Sequence, residues 1–252
     1  MTTKPFLDAT PPLAFAHRGA HDGVDIVENT MAAFEAAVEL GYSYVETDVH
    51  ATADGRVVAF HDEGLDRVTD RQGLIRDLPW AEVRRARVGT TERVPLLEDI
   101  LGSWPTLRVN IDPKHDSVTE PLIEVLRRTD AVDRVCVGSF SDRRIARLRG
   151  SLGEQLCTGM GPRGIARLRA ASFRAPVGRI QGDCAQVPTR QGRITIVDHR
   201  FVAEAHRRGL QVHVWTVDDP ADMENLFELG VDGIMTDRAD VLRDVLRVRG
   251  AW

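Results

Sequence analysis

The chain has 252 residues, 42% of them hydrophobic and 28% charged, with a formal net charge of −5. This is ordinary globular composition, with enough chain to bury one large core. A negative balance argues against general nucleic-acid binding, yet it leaves room for a local cationic site that takes an anionic substrate.

The opening stretch, MTTKPFLDATPP, is polar and proline-bearing and does not read as a signal peptide. No run approaches the roughly 18 apolar residues of a membrane span. The expectation is a cytoplasmic protein without stable membrane association. Cys136, Cys157 and Cys184 are odd in number and lack a C-x-x-C spacing. They read as small buried hydrophobes, not as a disulfide framework or a zinc site.

In chain order, β-rich runs are expected at residues 13–17, 44–49, 57–60, 107–112, 134–138, 155–158, 178–181, 211–216 and 233–236. Helical patterns fall at 30–40, 117–128, 141–148, 165–171, 198–208, 219–229 and 237–248. The first helix puts Met31, Phe34, Ala37 and Val38 on one face and meets a stop signal at Gly41. Ser117 and Glu120 predict a capping box for the second. With 57–60 set aside as a hairpin arm, eight strands alternate with helices. Such alternation implies parallel strands and right-handed crossovers, hence an α/β fold of the (β/α)8 TIM-barrel type. An open doubly wound sheet is the alternative, but no G-x-G-x-x-G follows the first strand. Residues 62–100 break the rhythm as a small insertion after strand 2. They are polar and turn-rich, with Leu65, Val68, Leu74, Ile75, Leu78 and Trp80 as packing anchors. A single domain is expected over residues 1–252.

In a TIM barrel the C-terminal strand ends face the active site. Strand one delivers His17 and Arg18. Strand two delivers Glu46 and Asp48, which share a side because they are two apart. The next delivers Asn110, Asp112 and Lys114 at the same spacing, the hairpin arm delivers His61, strand seven Trp215, and strand eight Thr236-Asp237. Three carboxylates gathered in a low-dielectric pocket call for a cation, and all-oxygen ligation suits Mg²⁺ or Ca²⁺. Glu46 and Asp48 could instead pair with arginines or cap helices. His17 and His61 have the titration range for acid–base work; Arg18 and Lys114 suit a phosphate. Glu28 could orient Arg18 or reach the site from outside, and Asn29 or Thr30 could cap the first helix. The remaining histidines, such as His21, His115, His199, His206 and His213, read as surface or packing residues. Trp215 offers an apolar wall to a small polyol or headgroup, or simply core packing.

These residues fall into an ordered set: HRG…ENT…AF…AxxxG, VETDVxxTxDGxxVxxHD, LDRxTxxxG, NIDPK, VxVWTVD and GVDGIMTD. The set runs from about Phe15 to Asp237 and resembles the glycerophosphodiester phosphodiesterases. The resemblance implies a TIM barrel with a small insertion after strand 2. It implies hydrolysis of glycerophosphodiesters to glycerol 3-phosphate and an alcohol, with one divalent cation. Carried over by position, His17 and His61 are the acid–base pair, and Glu46, Asp48 and Asp112 the metal ligands. Arg18, Glu28, Asn29, Lys114 and Trp215 are the substrate-binding set. The sequence departs from the family at Asp112, where glutamate is usual, at Val27, where proline is common before ENT, and at Asp218, where WTVN is commoner. Lysophospholipase D-like action on lipids is the nearest rival. A catalytically inactive binding barrel and a glycosidase are weaker ones. A soluble headgroup diester is preferred, because the insertion is charged and no membrane-binding helix stands out.

Overall fold

The computed structural model describes residues 4–252. Strands β1 (Leu13–His17), β2 (Tyr44–Ala51), β3 (Arg108–Pro113), β4 (Val135–Val137), β5 (Cys157–Thr158), β6 (Cys184–Val187), β7 (Gln211–Val214) and β8 (Gly233–Thr236) pair in parallel. Their order across the sheet is β5-β4-β3-β2-β1-β8-β7-β6. A parallel bridge from Gly159 to Cys184 joins the two edges and closes the barrel. Around it lie α1 (Met31–Glu39), α2 (Leu97–Ser103), α3 (Thr119–Arg128), α4 (Asp142–Leu152), α5 (Pro162–Ser172), α6 (His199–Arg207), α7 (Pro220–Glu228) and α8 (Ala239–Val248). The expected TIM barrel is therefore the fold.

Local chemistry explains most boundaries. Thr30 is the N-cap of α1, its hydroxyl accepting from the Ala33 N–H. Asp198 and Asp219 cap α6 and α7 in the same way. The residues Val57–Ala59 fold back antiparallel on β2, as a hairpin arm should. All eight residues of β2 are buried, as a strand in mid-sheet with helices outside must be.

Three expectations fail. The capping box does not form: Asp116–Val118 is a 3-10 turn, α3 starts after Val118, and Glu120 instead accepts from Arg147. Strand six is Cys184–Val187, not 178–181. The latter run has one aliphatic residue, Ile180, which packs on the core from an irregular segment, whereas Cys184-Ala185-Gln186-Val187 pairs in register with β7. The excursion after β2 ends at Leu96, because Leu97, Ile100 and Leu101 are buried as the inner face of α2. A boundary near 100 would cut that helix. The excursion itself packs around its own core of Val58, Phe60, Leu65, Ile75, Val83 and Val88, with Val68, Leu78 and Trp80 at its edge.

The N-terminal end of the barrel is plugged by Phe6, which is fully buried. Its ring meets Tyr44 edge-on at 5.2 Å and stacks near Phe15 at 6.3 Å, while the Tyr44 hydroxyl donates to the Phe6 carbonyl at 2.8 Å. The three cysteines lie in this layer, buried, with sulfurs within 4.8 Å of one another. Phe6→Ala should therefore cost about 3–5 kcal/mol in urea unfolding. Val248→Ala, at a position 87% exposed, should stay within about 0.5 kcal/mol.

Candidate active site

Strand register assembles the site. His17 pairs with Glu46, Glu46 with Asn110, and Asp48 with Asp112, so two rows of polar side chains cross β1, β2 and β3 at their C-terminal ends. The chain then turns sharply. Arg18 and Asn29 both adopt left-handed backbone, φ +59° and +57°. The Arg18 N–H donates to the Glu46 carbonyl and the Asn29 N–H to the Arg18 carbonyl. Gly19 is required between them: a Cβ there would sit 2.6 Å from the Ala33 carbonyl carbon, so a side chain would push α1 away. The loop that follows is organised by Asp22, whose Oδ1 accepts from the N–H groups of Val24, Asp25 and Ile26 at 2.9 Å each.

Each candidate imidazole is backed by a carboxylate. His17 Nδ1 lies 2.6 Å from Asp237 Oδ1, which leaves Nε2 facing Glu46 Oε2 at 3.6 Å. His61 Nδ1 lies 2.6 Å from Asp62 Oδ1. The His61 carbonyl in turn lies 3.1 Å from His50 Nε2. Burial lowers the affinity of His17 for its proton, but Glu46 and Asp237 outweigh it and raise the pKa. Asp237 is depressed despite its burial, by its hydrogen bond with His17 and by the nearby His21.

The carboxylates of β2 are treated unequally. Asp48 is buried, which opposes ionisation, but Lys114 and Arg18 hold its pKa low. Lys114 Nζ lies 2.5 Å from Asp48 Oδ1 and 2.9 Å from Asp112 Oδ2, and Arg18 Nε lies 2.9 Å from Asp48 Oδ2. Glu46 has no such counter-ion at close range. Burial, and then the Asp48 charge, push it up to about 8. Burial also raises Asp112, against the pull of Lys114. Arg18 is steadied from behind by Glu28 at 3.2 Å, and Arg67 of the excursion bridges Glu28 and Asp62.

His17, Arg18, Glu46, Asp48, His61, Asp112, Lys114 and Trp215 all line one cavity of about 720 Å³. Glu28 and Asn29 stand behind it: Glu28 reaches it through Arg18, and buried Asn29 accepts from the Thr47 hydroxyl at 2.7 Å. Five buried side-chain atoms make no well-formed hydrogen bond among the described residues, and all belong to this region: Arg18 Nε and Asp48 Oδ2, which face each other as an ion pair at 2.9 Å, and His21 Nε2, Asn29 Nδ2 and Glu46 Oε2. The unsatisfied Glu46 oxygen, with the carboxylates of Asp48 and Asp112 beside it, makes an all-oxygen donor set of the kind a hard divalent cation takes. Glu46, Asp48 and Asp112 could hold one. Their oxygens do not converge within 4.8 Å as they stand, and the Lys114 ammonium lies between Asp48 and Asp112.

Several members were missed in the sequence. Asp237 is expected at the end of strand eight but without a role, although β8 must lie beside β1 in a closed barrel and so deliver that end to His17. His21 is not a surface residue; its Nε2 lies 3.4 Å from Asp237 Oδ1 and its side chain is 12% exposed. Asp62, adjacent to His61 in sequence, was the most accessible clue. Asp218 now has a role: its Oδ1 accepts from the Thr236 hydroxyl and the Asp237 N–H, fixing the backbone that presents Asp237. Asparagine could accept there equally well.

The chain matches the glycerophosphoryl diester phosphodiesterase family over residues 17–241. It is 41% identical over 255 residues to "Probable glycerophosphodiester phosphodiesterase 2" of Mycobacterium tuberculosis, covering 99% of this chain and 96% of that protein. It is 31% identical to a glycerophosphodiester phosphodiesterase of Caldanaerobacter subterraneus subsp. tengcongensis, covering 94% and 99%. In fold it is similar to the crystal structure of a glycerophosphodiester phosphodiesterase from Agrobacterium tumefaciens. The TM-score there is 0.76, at 24% identity and 93% and 99% coverage. On the strength of these matches, this chain belongs to the glycerophosphoryl diester phosphodiesterase family.

Proposed function

We propose that the protein is a divalent-metal-dependent phosphodiesterase that hydrolyses glycerophosphodiesters to glycerol 3-phosphate and an alcohol. The observation that carries this reading is the pairing of two carboxylate-backed imidazoles with a buried carboxylate pair, a guanidinium and an ammonium around one cavity. Family membership supports it. Glu46, Asp48 and Asp112 would hold Mg²⁺ or Ca²⁺, and when bound the cation would supply Lewis-acid polarisation of the phosphoryl oxygens. Arg18 and Lys114 orient the diester and neutralise charge that builds on it. His17, whose pKa is raised by Glu46 and Asp237 against burial, suits the acid that protonates the leaving oxygen. His61, held by Asp62, suits the base. Trp215 lies where it can wall the glycerol. Among the described residues no helix is long and apolar enough to cross a membrane. Three unpaired thiols within 4.8 Å of one another fit a reducing compartment, and we place the protein in the cytoplasm.

With glycerophosphocholine, turnover should require millimolar Mg²⁺ or Ca²⁺ and stop in EDTA. His17→Ala or His61→Ala should each lower kcat by about 10²–10⁴; near-normal turnover in either variant refutes its role. Asp237→Asn should bring the His17 pKa down, read from the imidazole resonances by NMR, and slow turnover by at least about tenfold. Because metal ligands must be ionised and Glu46 is pushed up to about 8, cation binding should release a proton. Affinity for Ca²⁺ should then weaken by up to about tenfold per unit as pH falls below 8. Calorimetry in buffers of different ionisation enthalpy measures that proton directly.

A further inference from the structure

The cavity has a second half that phosphodiester chemistry does not use. Opposite the charged rows it is walled by Met160, Ile165, Ala166, Ala170, Val187 and Ile196. At its rim stand three large apolar side chains turned to solvent: Phe140, 70% exposed, Phe173, 56%, and Ile194, 62%. They come from the loop after β4, the end of α5 and the hairpin Arg190–Gln191/Ile194–Thr195 after β6. Phe140 stands edge-on against Trp215 at 5.8 Å, so the aromatic rim is continuous with the site wall. Exposed apolar groups gathered at a site mouth mark an interaction surface more often than scattered ones do.

The charge of the same region is opposite to that of the molecule. Residues 159–200 hold eight arginines against two aspartates, a formal +6, in a chain of net −5. Both aspartates are already engaged, Asp198 by Arg169 and Asp183 by Arg149. Exposed Arg174, Arg179, Arg190 and Arg193 have no carboxylate within 4.0 Å among the described residues. Phe173 itself lies under Arg169 and Arg200, at 4.5 and 5.7 Å from its ring.

We propose that this face docks reversibly on an anionic lipid surface. Phe140, Phe173 and Ile194 would enter the headgroup boundary, the arginines would sit over acidic headgroups, and the apolar half of the cavity would open towards the bilayer. Nucleic acid would use the arginines but has no need of an apolar-walled cavity half and an isoleucine at the tip of a hairpin; a lipid surface uses both features. A diester carrying a hydrocarbon chain could then pass from the bilayer into the apolar half with its phosphate towards Arg18 and Lys114. This last step rests on the phosphodiesterase reading; the docking does not.

Co-sedimentation of the full chain with vesicles tests it, in the absence of turnover. The vesicles are phosphatidylcholine alone, or phosphatidylcholine with about one-third phosphatidylglycerol. Partitioning should favour the anionic vesicles by about tenfold or more at low salt and collapse at about 0.5 M salt. Phe173→Ser with Ile194→Ser should lower it by about tenfold or more, as should Arg174→Glu with Arg193→Glu. All four positions are exposed, so circular dichroism should report unchanged folding. The arginine variant should hydrolyse glycerophosphocholine at the parent rate, which separates loss of docking from loss of catalysis. Equal partitioning to both vesicles, no partitioning, or partitioning indifferent to both double variants overturns the proposal. So does an oligonucleotide that binds the patch while neither vesicle sediments the protein.

Discussion

Two carboxylates, Glu46 and Asp48, leave water almost completely on the same side of one strand, at 5% and 2% exposure. Burial strips both carboxylates of hydration, and two like charges so placed also repel each other, so both cannot stay ionised without help. The fold resolves the conflict by inequality. Asp48 receives a guanidinium and an ammonium and stays ionised, while Glu46 receives neither at close range and is raised to about 8. Much of the surrounding geometry follows. Arg18 reaches Asp48 from a left-handed turn, which non-glycine residues adopt only under constraint. That turn is pinned by the Glu46 carbonyl, by Asn29 in a second left-handed turn, and by Gly19 against α1. Arg67 then ties Glu28, the partner of Arg18, to Asp62, the partner of His61. The excursion after β2 is thus electrostatically part of the site, not an appendage to it.

What the sequence made legible was whatever depends on strand periodicity. Glu46 and Asp48, or Asn110 and Asp112, can be placed on one side from spacing alone. The structure adds that the two pairs are in register, residue against residue, which no spacing within a strand could reveal. Contacts made by closure can be read only once the barrel is in place, not from spacing within a strand. Asp237 meets His17 across 220 residues because β8 lies beside β1, and His21 joins them because the loop after β1 bends back. Strand six was misplaced because its residues Cys184 and Gln186 are a thiol and an amide, without the β-branched signal that marks a buried strand. The apolar rim was invisible because Phe140, Phe173 and Ile194 are separated in sequence and each is flanked by polar or basic residues. The apolar mouth also lies at the ends of β4–β6, away from the charged excursion that follows β2.

The division of the cavity into a charged and an apolar half has a physical seam. Gln186 on β6 reaches across the barrel and donates to Asn110 on β3 at 2.8 Å. Above this bond β1–β3 contribute His17, Arg18, Glu46, Asp48, Asp112 and Lys114, while the ends of β4–β6 contribute Gly138, Met160 and Val187. The reach is possible because Gly138 has no side chain; a Cβ there would lie 2.9 Å from Gln186 Oε1. An apolar wall facing the charged rows keeps water from one side of them, which strengthens every ion pair the rows contain. It also lets the two halves change independently. Substitutions in α5 or the hairpin after β6 alter what lies against the wall without touching Asp48, Arg18 or Lys114. A barrel whose loops come from separate βα units permits that separation. The chemistry at the ends of β1–β3 can therefore stay fixed while the opposite half adapts to the group the diester carries.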